Sequence, residues 1–222
     1  SRGLGDVYKR QRLYWCVAVF VVGMVLGTMV APPIVTAMKP LDNRVTELGW
    51  TGPADIAEEI EVSGAKKDAT ITVRGPGGEF RDEISRYTAE TSRGLVFLFP
   101  FEPDRRSFRF YDPVGDVQGT VDYVGPGTVD GLRTYVFHGT FEGEDYHAER
   151  TFVVERRTGT LVGATWETAD GSFTLDDGTR ATQLALAHDR VRVLKFLQFL
   201  AFLGAFMAVL AAAVGVVIFV RR

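Results

Sequence analysis

Ser63-Gly64-Ala65-Lys66 has the Ser-x-x-Lys spacing in which a lysine amine can take the proton of a serine nucleophile. The Ser-Asp-Asn and Lys-Thr-Gly segments that complete such sites are missing. With six Ser and five Lys in the chain, one such pair is read as coincidence. Glu142, Glu144, Asp145 and His147 surround Gly143 and could offer carboxylate oxygens and an imidazole to a cation. Acidic hairpin tips are ordinarily just solvated, so no bound metal is expected there. His138 alternates within an apolar strand and should be satisfied locally. The sequence has no Gly-x-Ser-x-Gly, P-loop, zinc spacing or dinucleotide fingerprint. Neither catalysis nor a cofactor is expected.

The elements that carry these residues are mostly strands. Thr70–Arg74, Leu95–Phe99, Ser107–Tyr111, Thr120–Val124, Leu132–Phe141, Tyr146–Glu155, Leu161–Thr168 and Ser172–Leu175 are β-rich and recur at short intervals. Gly, Pro and Asp turns separate them, which indicates hairpins rather than βαβ units. The stretch Gly125 to Asp130 reads as a wider connection. The fold class is therefore mainly β: an antiparallel sheet or partly open barrel, flanked by an N-terminal and a C-terminal transmembrane helix. Phe97, Phe99, Phe108, Phe110, Tyr135, Phe137, Phe152, Val154 and Trp166 alternate along their strands and form the expected core. Helix is expected over Pro53–Ile60, where proline and acidic residues sit at the start. Thr179–Lys195 also reads as helix, because Leu184, Ala187, Val191 and Leu194 share one face.

Two long runs without charge frame this domain, Leu13–Met38 and Phe196–Val220. Each is long enough to cross a hydrocarbon core of ~30 Å. The organisation is read as residues 1–11, a sequencing artefact or short basic tail, then a first transmembrane helix over 12–31. A β-rich extracytoplasmic domain over 32–178 follows, then a juxtamembrane helix over 179–195 and a second transmembrane helix over 196–220. Tyr14 and Trp15 suit the headgroup level, and Pro32-Pro33 marks the exit of the first span. A signal peptide cleaved after Val35-Thr36-Ala37 is the rival reading. Arg12 and Arg221-Arg222 favour both termini in the cytoplasm, whereas Arg190, Arg192 and Lys195 oppose this unless they snorkel at the outer interface. No Gly or Pro interrupts the passage from Lys195 into Phe196. Gly23 and Gly27 form a GxxxG pair, and Gly204 and Ala208 give small residues at the same spacing in the second run. Such faces let helices approach closely in lipid, although Gly and Ala are common in such helices anyway.

From Lys39 to Lys195 there are 19 Lys and Arg against 27 Asp and Glu, a net charge of −8. That surface repels phosphate backbones, so nucleic acid is not an expected partner. Membrane lipid is, with a homo-oligomer or an envelope protein as the further partner. Cys16 is the only cysteine, which rules out an intramolecular disulfide.

Four motifs in order resemble the porin PorA family of two-span membrane proteins. They are Phe99-Pro100-Phe101, Tyr111-Asp112, the strand from Val129 through Gly131, Tyr135 and Phe137, and the turn Arg157-Thr158-Gly159. Glu102 stands where the family has Asp after Phe-Pro-Phe. The resemblance carries over no catalytic residue. It implies a channel of the cell envelope, yet outer-membrane barrels lack long apolar helices. Two helices cannot by themselves enclose a pore. The leading expectation is a non-enzymatic protein anchored in the cell membrane, binding a partner or hydrophobic ligand near the bilayer. The alternative is an oligomeric porin-type pore.

Overall fold

A computed structural model describes residues 2–65 and 68–220. The chain begins with α1 (Arg2–Met24), a π-helical segment (Val25–Val30) and α2 (Ala31–Met38). Twelve strands follow. They are β1 (Arg44–Thr51), β2 (Ile56–Ser63), β3 (Asp68–Gly75), β4 (Gly78–Ser85), β5 (Glu90–Thr91) and β6 (Gly94–Leu95), then β7 (Phe108–Asp112), β8 (Val117–Val129), β9 (Leu132–Glu142), β10 (His147–Glu155), β11 (Leu161–Thr168) and β12 (Gly171–Leu175). The last element is α3 (Asp177–Val220). Two compact units result: Lys39–Val191, and the N-terminal helices with α3 from Arg192 onward.

The strands form a closed barrel in which each pairs with its neighbours in sequence. The mainly β, antiparallel character is as expected, but the barrel is closed rather than a sheet or partly open barrel. Trp50 pairs with Leu175 and Thr51 with Thr174, so β1 and β12 seal the wall and remove the free edges a sheet would expose. All pairs are antiparallel except β6–β7, joined in parallel at Leu95 and Phe110.

Alternation decides the interior. Of the nine expected core residues, eight are buried and Tyr135 is half-buried against them. Outward positions carry charge instead, among them Glu47, Arg74, Glu79, Arg81, Glu83, Arg109, Asp122 and Arg133. β2 replaces the helix expected over Pro53–Ile60. Glu58, Ile60 and Val62 point inward at a two-residue period, and pairing on both sides outweighs the helix-start signal. β8 runs on to Val129, so Gly125–Asp130 is not a wide connection. The turn is Asp130-Gly131, whose φ values of 49° and 75° match a tight hairpin with the strands' own twist.

Leu95–Phe99 is not one strand. β6 ends at Leu95, and Phe97 has φ 55° while Leu98 N donates to Val96 O at 2.7 Å. This sharp turn sends Val96–Phe99 into the barrel interior, where all four residues are buried. Phe97 meets Phe110 and Phe152; Phe99 meets Phe108, Phe137 and Phe152. Consecutive burial without alternation is what an interior crossing requires.

α3 starts on Asp176, which accepts from Thr179 N at 2.9 Å as an N-cap. Asp176 N donates to Gly49 O, and Gly49 N donates to Thr179 Oγ1, both at 2.9 Å, fastening the helix start to β1. Ala187 and Val191 then bury against Leu132 and Val162. The helix continues unbroken through Phe196, as the lack of Gly and Pro there anticipates.

Tyr14–Met38 and the α3 stretch to Ile218 are long and apolar enough to cross a bilayer. The first helix does not stop at Pro32-Pro33 but continues to Met38. Proline removes N–H donors, and the π-helical segment lies immediately before the pair, where the hydrogen-bond ladder must adjust.

Candidate functional site

Asp112 closes β7 and Arg150 lies inward on β10, both fully buried. Arg150 Nε donates to Asp112 Oδ2 at 2.6 Å and Nη2 to Oδ1 at 2.9 Å. Tyr146 OH donates to Oδ2 at 2.7 Å. The guanidinium lies 4.4 Å from the Trp166 ring centre and 5.1 Å from that of Phe97. Burial alone would lower the Arg150 pKa, but the charge and hydrogen bonds of Asp112, with the nearby Glu58 and Tyr146, outweigh it and hold it raised. Beside this pair sits Glu58, 1% exposed, whose Oε2 accepts from Trp50 Nε1 at 2.9 Å. Burial pushes its carboxyl up, against the opposing influence of Arg150 and Trp50. The cluster is a polar island in an aromatic core. It holds a guanidinium and two carboxyl groups but exposes none of them to substrate.

A second constellation joins two of the family motifs. Glu155 Oε2 accepts from Arg157 N, Thr158 N and Thr158 Oγ1 at 3.0, 2.8 and 2.9 Å, shaping the β10–β11 turn. Gly159 there has φ 68°, and a Cβ on it would collide with Pro100 O. Glu102 N donates to Arg157 O at 3.1 Å. Phe99-Pro100-Phe101 and Arg157-Thr158-Gly159 therefore meet: the interior crossing is stapled to the β10–β11 turn.

The wall is thinnest beside β4. Only Ile84 of β4 pairs with β5, and only one residue pair joins β6 to β7. A groove of about 500 Å³ opens between Glu79–Asp82 and Tyr111–Asp116. Asp116 Oδ1 accepts from Tyr111 OH at 2.7 Å and Arg93 Nη1 at 2.8 Å. Burial and then Asp116 push the Tyr111 hydroxyl up to about 12. Ser92 Oγ donates to Asp82 Oδ2 at 2.6 Å. These mixed donors and acceptors suit a polar ligand or a peptide backbone.

In the helical unit, a Cβ on Gly23 would lie 2.5 Å from Gly204 O and 3.4 Å from Ala208 Cβ, and one on Gly27 3.2 Å from Ala201 O. Backbone meets backbone there, and no lumen separates the two helices at that level.

The other sequence candidates do not assemble. Glu142 and His147 face each other across β9 and β10, with Oε1 to Nδ1 at 3.9 Å. Glu144 and Asp145 are exposed on the turn, and no cluster of three metal-ligand side chains forms among the described residues. His138 Nδ1 lies 3.1 Å from Thr151 Oγ1, its local partner. Ser63 is exposed, and Lys66 lies outside the described residues. Sequence reasoning missed Glu58 and Arg150. Each sits among alternating charges, and only the strand phase turns it inward.

Residues 81–217 match the Porin PorA family, a stretch running from β4 through the interior crossing to nearly the end of α3. The chain belongs to that family. No curated protein matches the chain. Membership and the two apolar helices together support a membrane location for this PorA-family chain. Tyr135 and Phe137, from the family strand, lie on β9, with Phe137 in the aromatic core.

Proposed function

We propose that this PorA-family chain is a non-enzymatic cell-envelope protein, held by two transmembrane helices, whose barrel docks a partner protein outside the cytoplasm. The observation that carries this reading is the polarity of the barrel. A membrane-spanning barrel is apolar outside and polar within. Here aromatic rings fill the interior and charged side chains cover the wall. Such a barrel belongs in water, with its centre filled by aromatic side chains. The groove between β4 and β7, where β4 pairs with β5 only at Ile84 and where Arg93 and Asp116 pair, is the docking face this reading favours. Both termini are placed in the cytoplasm.

Membership in a porin family favours a second reading, a pore built from the helices of several copies. Planar-bilayer recording on the purified protein separates the two. A silent bilayer is expected, and reproducible unitary conductance would overturn the docking reading. Topology is tested on a Cys16→Ala background with a membrane-impermeant thiol reagent. A cysteine at Asp145 should be labelled in intact cells and one added after Arg222 should not; labelling of the C-terminal cysteine alone would invert the topology.

A further inference from the structure

The two membrane helices part beside their glycine contact. Trp15, Val19 and Val22 wall one side of a crevice of about 300 Å³; Leu200, Leu203 and Met207 wall the other. Gly23 and Gly204 lie at its foot, where the backbones already touch. We propose that this crevice is a binding site for one acyl chain of a membrane phospholipid. The proposal rests on the reading that both helices lie in the bilayer.

Three observations select that occupant. The lining offers no charged or hydrogen-bonding side chain except the Trp15 indole, so the ligand must be apolar along this length. From Trp15 to Val22 the crevice follows about 10 Å of helix, at ~1.5 Å rise per residue, and so is elongated. Its volume is about twice the roughly 150 Å³ cavity that takes up benzene. That suits a slender hydrocarbon chain, whereas a second helix, ~10–12 Å across with its side chains, cannot enter. Trp15 is 66% exposed, and its ring is of the kind that favours the headgroup level. Its N–H is then free to donate to an ester or phosphate oxygen of the lipid whose chain lies below. The small residues that draw the helices together thereby leave, one turn away, a gap that bulky Val, Leu and Met side chains do not close.

Trp15 also supplies the readout, because Trp50 and Trp166 are buried in the barrel core and contribute a constant background. The full-length protein in dodecyl maltoside is titrated with phosphatidylcholine brominated at carbons 6 and 7 of one chain. Tryptophan emission should fall in a saturable step complete near one lipid per chain. Ala18→Leu, which places a side chain in the crevice from an otherwise exposed position, should abolish that step. In vesicles made wholly of the brominated lipid, both proteins should still be quenched. Quenching that tracks lipid mole fraction equally in both proteins would overturn the site. A chain that sizes as a dimer and shows no saturable step would assign the crevice to a second copy, which also overturns it. Absence of quenching in the brominated vesicles would instead refute the placement of these helices in the bilayer.

Discussion

Arg150 and Asp112 form a two-point ion pair inside the barrel, with Nε–Oδ2 at 2.6 Å, Nη2–Oδ1 at 2.9 Å and neither side chain exposed. Charges buried this deeply persist only when both partners are present, since either alone would be stranded in an apolar medium. Asp112→Asn removes the carboxylate that pairs with the guanidinium at two points and is expected to destabilise by about 3–5 kcal/mol. In urea unfolding, pairing it with Arg150→Met should cost clearly less than the two single changes added together. Strict additivity would mean the pair is not coupled.

Glu58 should give the barrel a distinctive pH response. Its folded pKa is raised by burial, so the native state holds this proton more tightly than the unfolded chain. The stabilisation is full below the ordinary carboxylate range near 4.5 and is lost as pH rises through the folded value. Glu58→Gln removes the ionisation while keeping an acceptor for Trp50. The variant should gain on the parent as pH climbs from 4 to 8, read as the difference between their melting temperatures. A difference that is flat with pH would count against a raised Glu58.

Gly159 is needed for two separate reasons, its φ of 68° and the carbonyl of Pro100 where a Cβ would sit. The left-handed conformation alone costs an L-residue roughly 1–2 kcal/mol. Gly159→Ala should exceed that figure, because the interior crossing must also shift. Gly131→Ala has the same φ problem, but no atom lies near its Cβ position, so it should stay within that figure. Equal losses in chemical denaturation would show that the Pro100 contact is immaterial.

Phe137 is fully buried between Phe99, Phe108 and Tyr123. Truncation to Ala should cost about 3–5 kcal/mol, lost hydrophobic transfer plus an unfilled cavity. Val124→Ala, one residue from Tyr123 but facing solvent, should change stability by less than about 0.5 kcal/mol.

Gly23→Ile should drive α1 from α3, because a side chain there meets Gly204 backbone. Cross-linking of cysteines placed at Val19 and Met207, on a Cys16→Ala background, by a bis-maleimide that spans the crevice should be efficient in the parent and weak in the variant. Undiminished cross-linking would mean that the two helices do not rely on that contact.

Much of this was legible in the sequence, and for a local reason. Length and the absence of charge mark the two apolar helices whatever else the chain does. Alternation in Leu132–Phe141 and Tyr146–Glu155 places Phe137, Phe152 and Val154 inward, because a strand's side-chain period is fixed at two. The uninterrupted run from Thr179 onward likewise anticipates one continuous α3. Tertiary structure decided what depends on partners distant in sequence. Closure required β12 to find β1 across 125 residues of register, and nothing local to Trp50 or Leu175 encodes that. Pro53–Ile60 carries a helix-start signal, yet β1 and β3 offered Glu58, Ile60 and Val62 two hydrogen-bonded neighbours and a core. Asp112 and Arg150 lie 38 residues apart, and each resembles an ordinary surface charge until the barrel closes around both. Phe97 shows the same division: its aromatic character announced burial, but its turn into the interior at φ 55° has no local signal. Local periodicity fixes which face a side chain takes; the identity of what it meets there is set by closure of the whole wall.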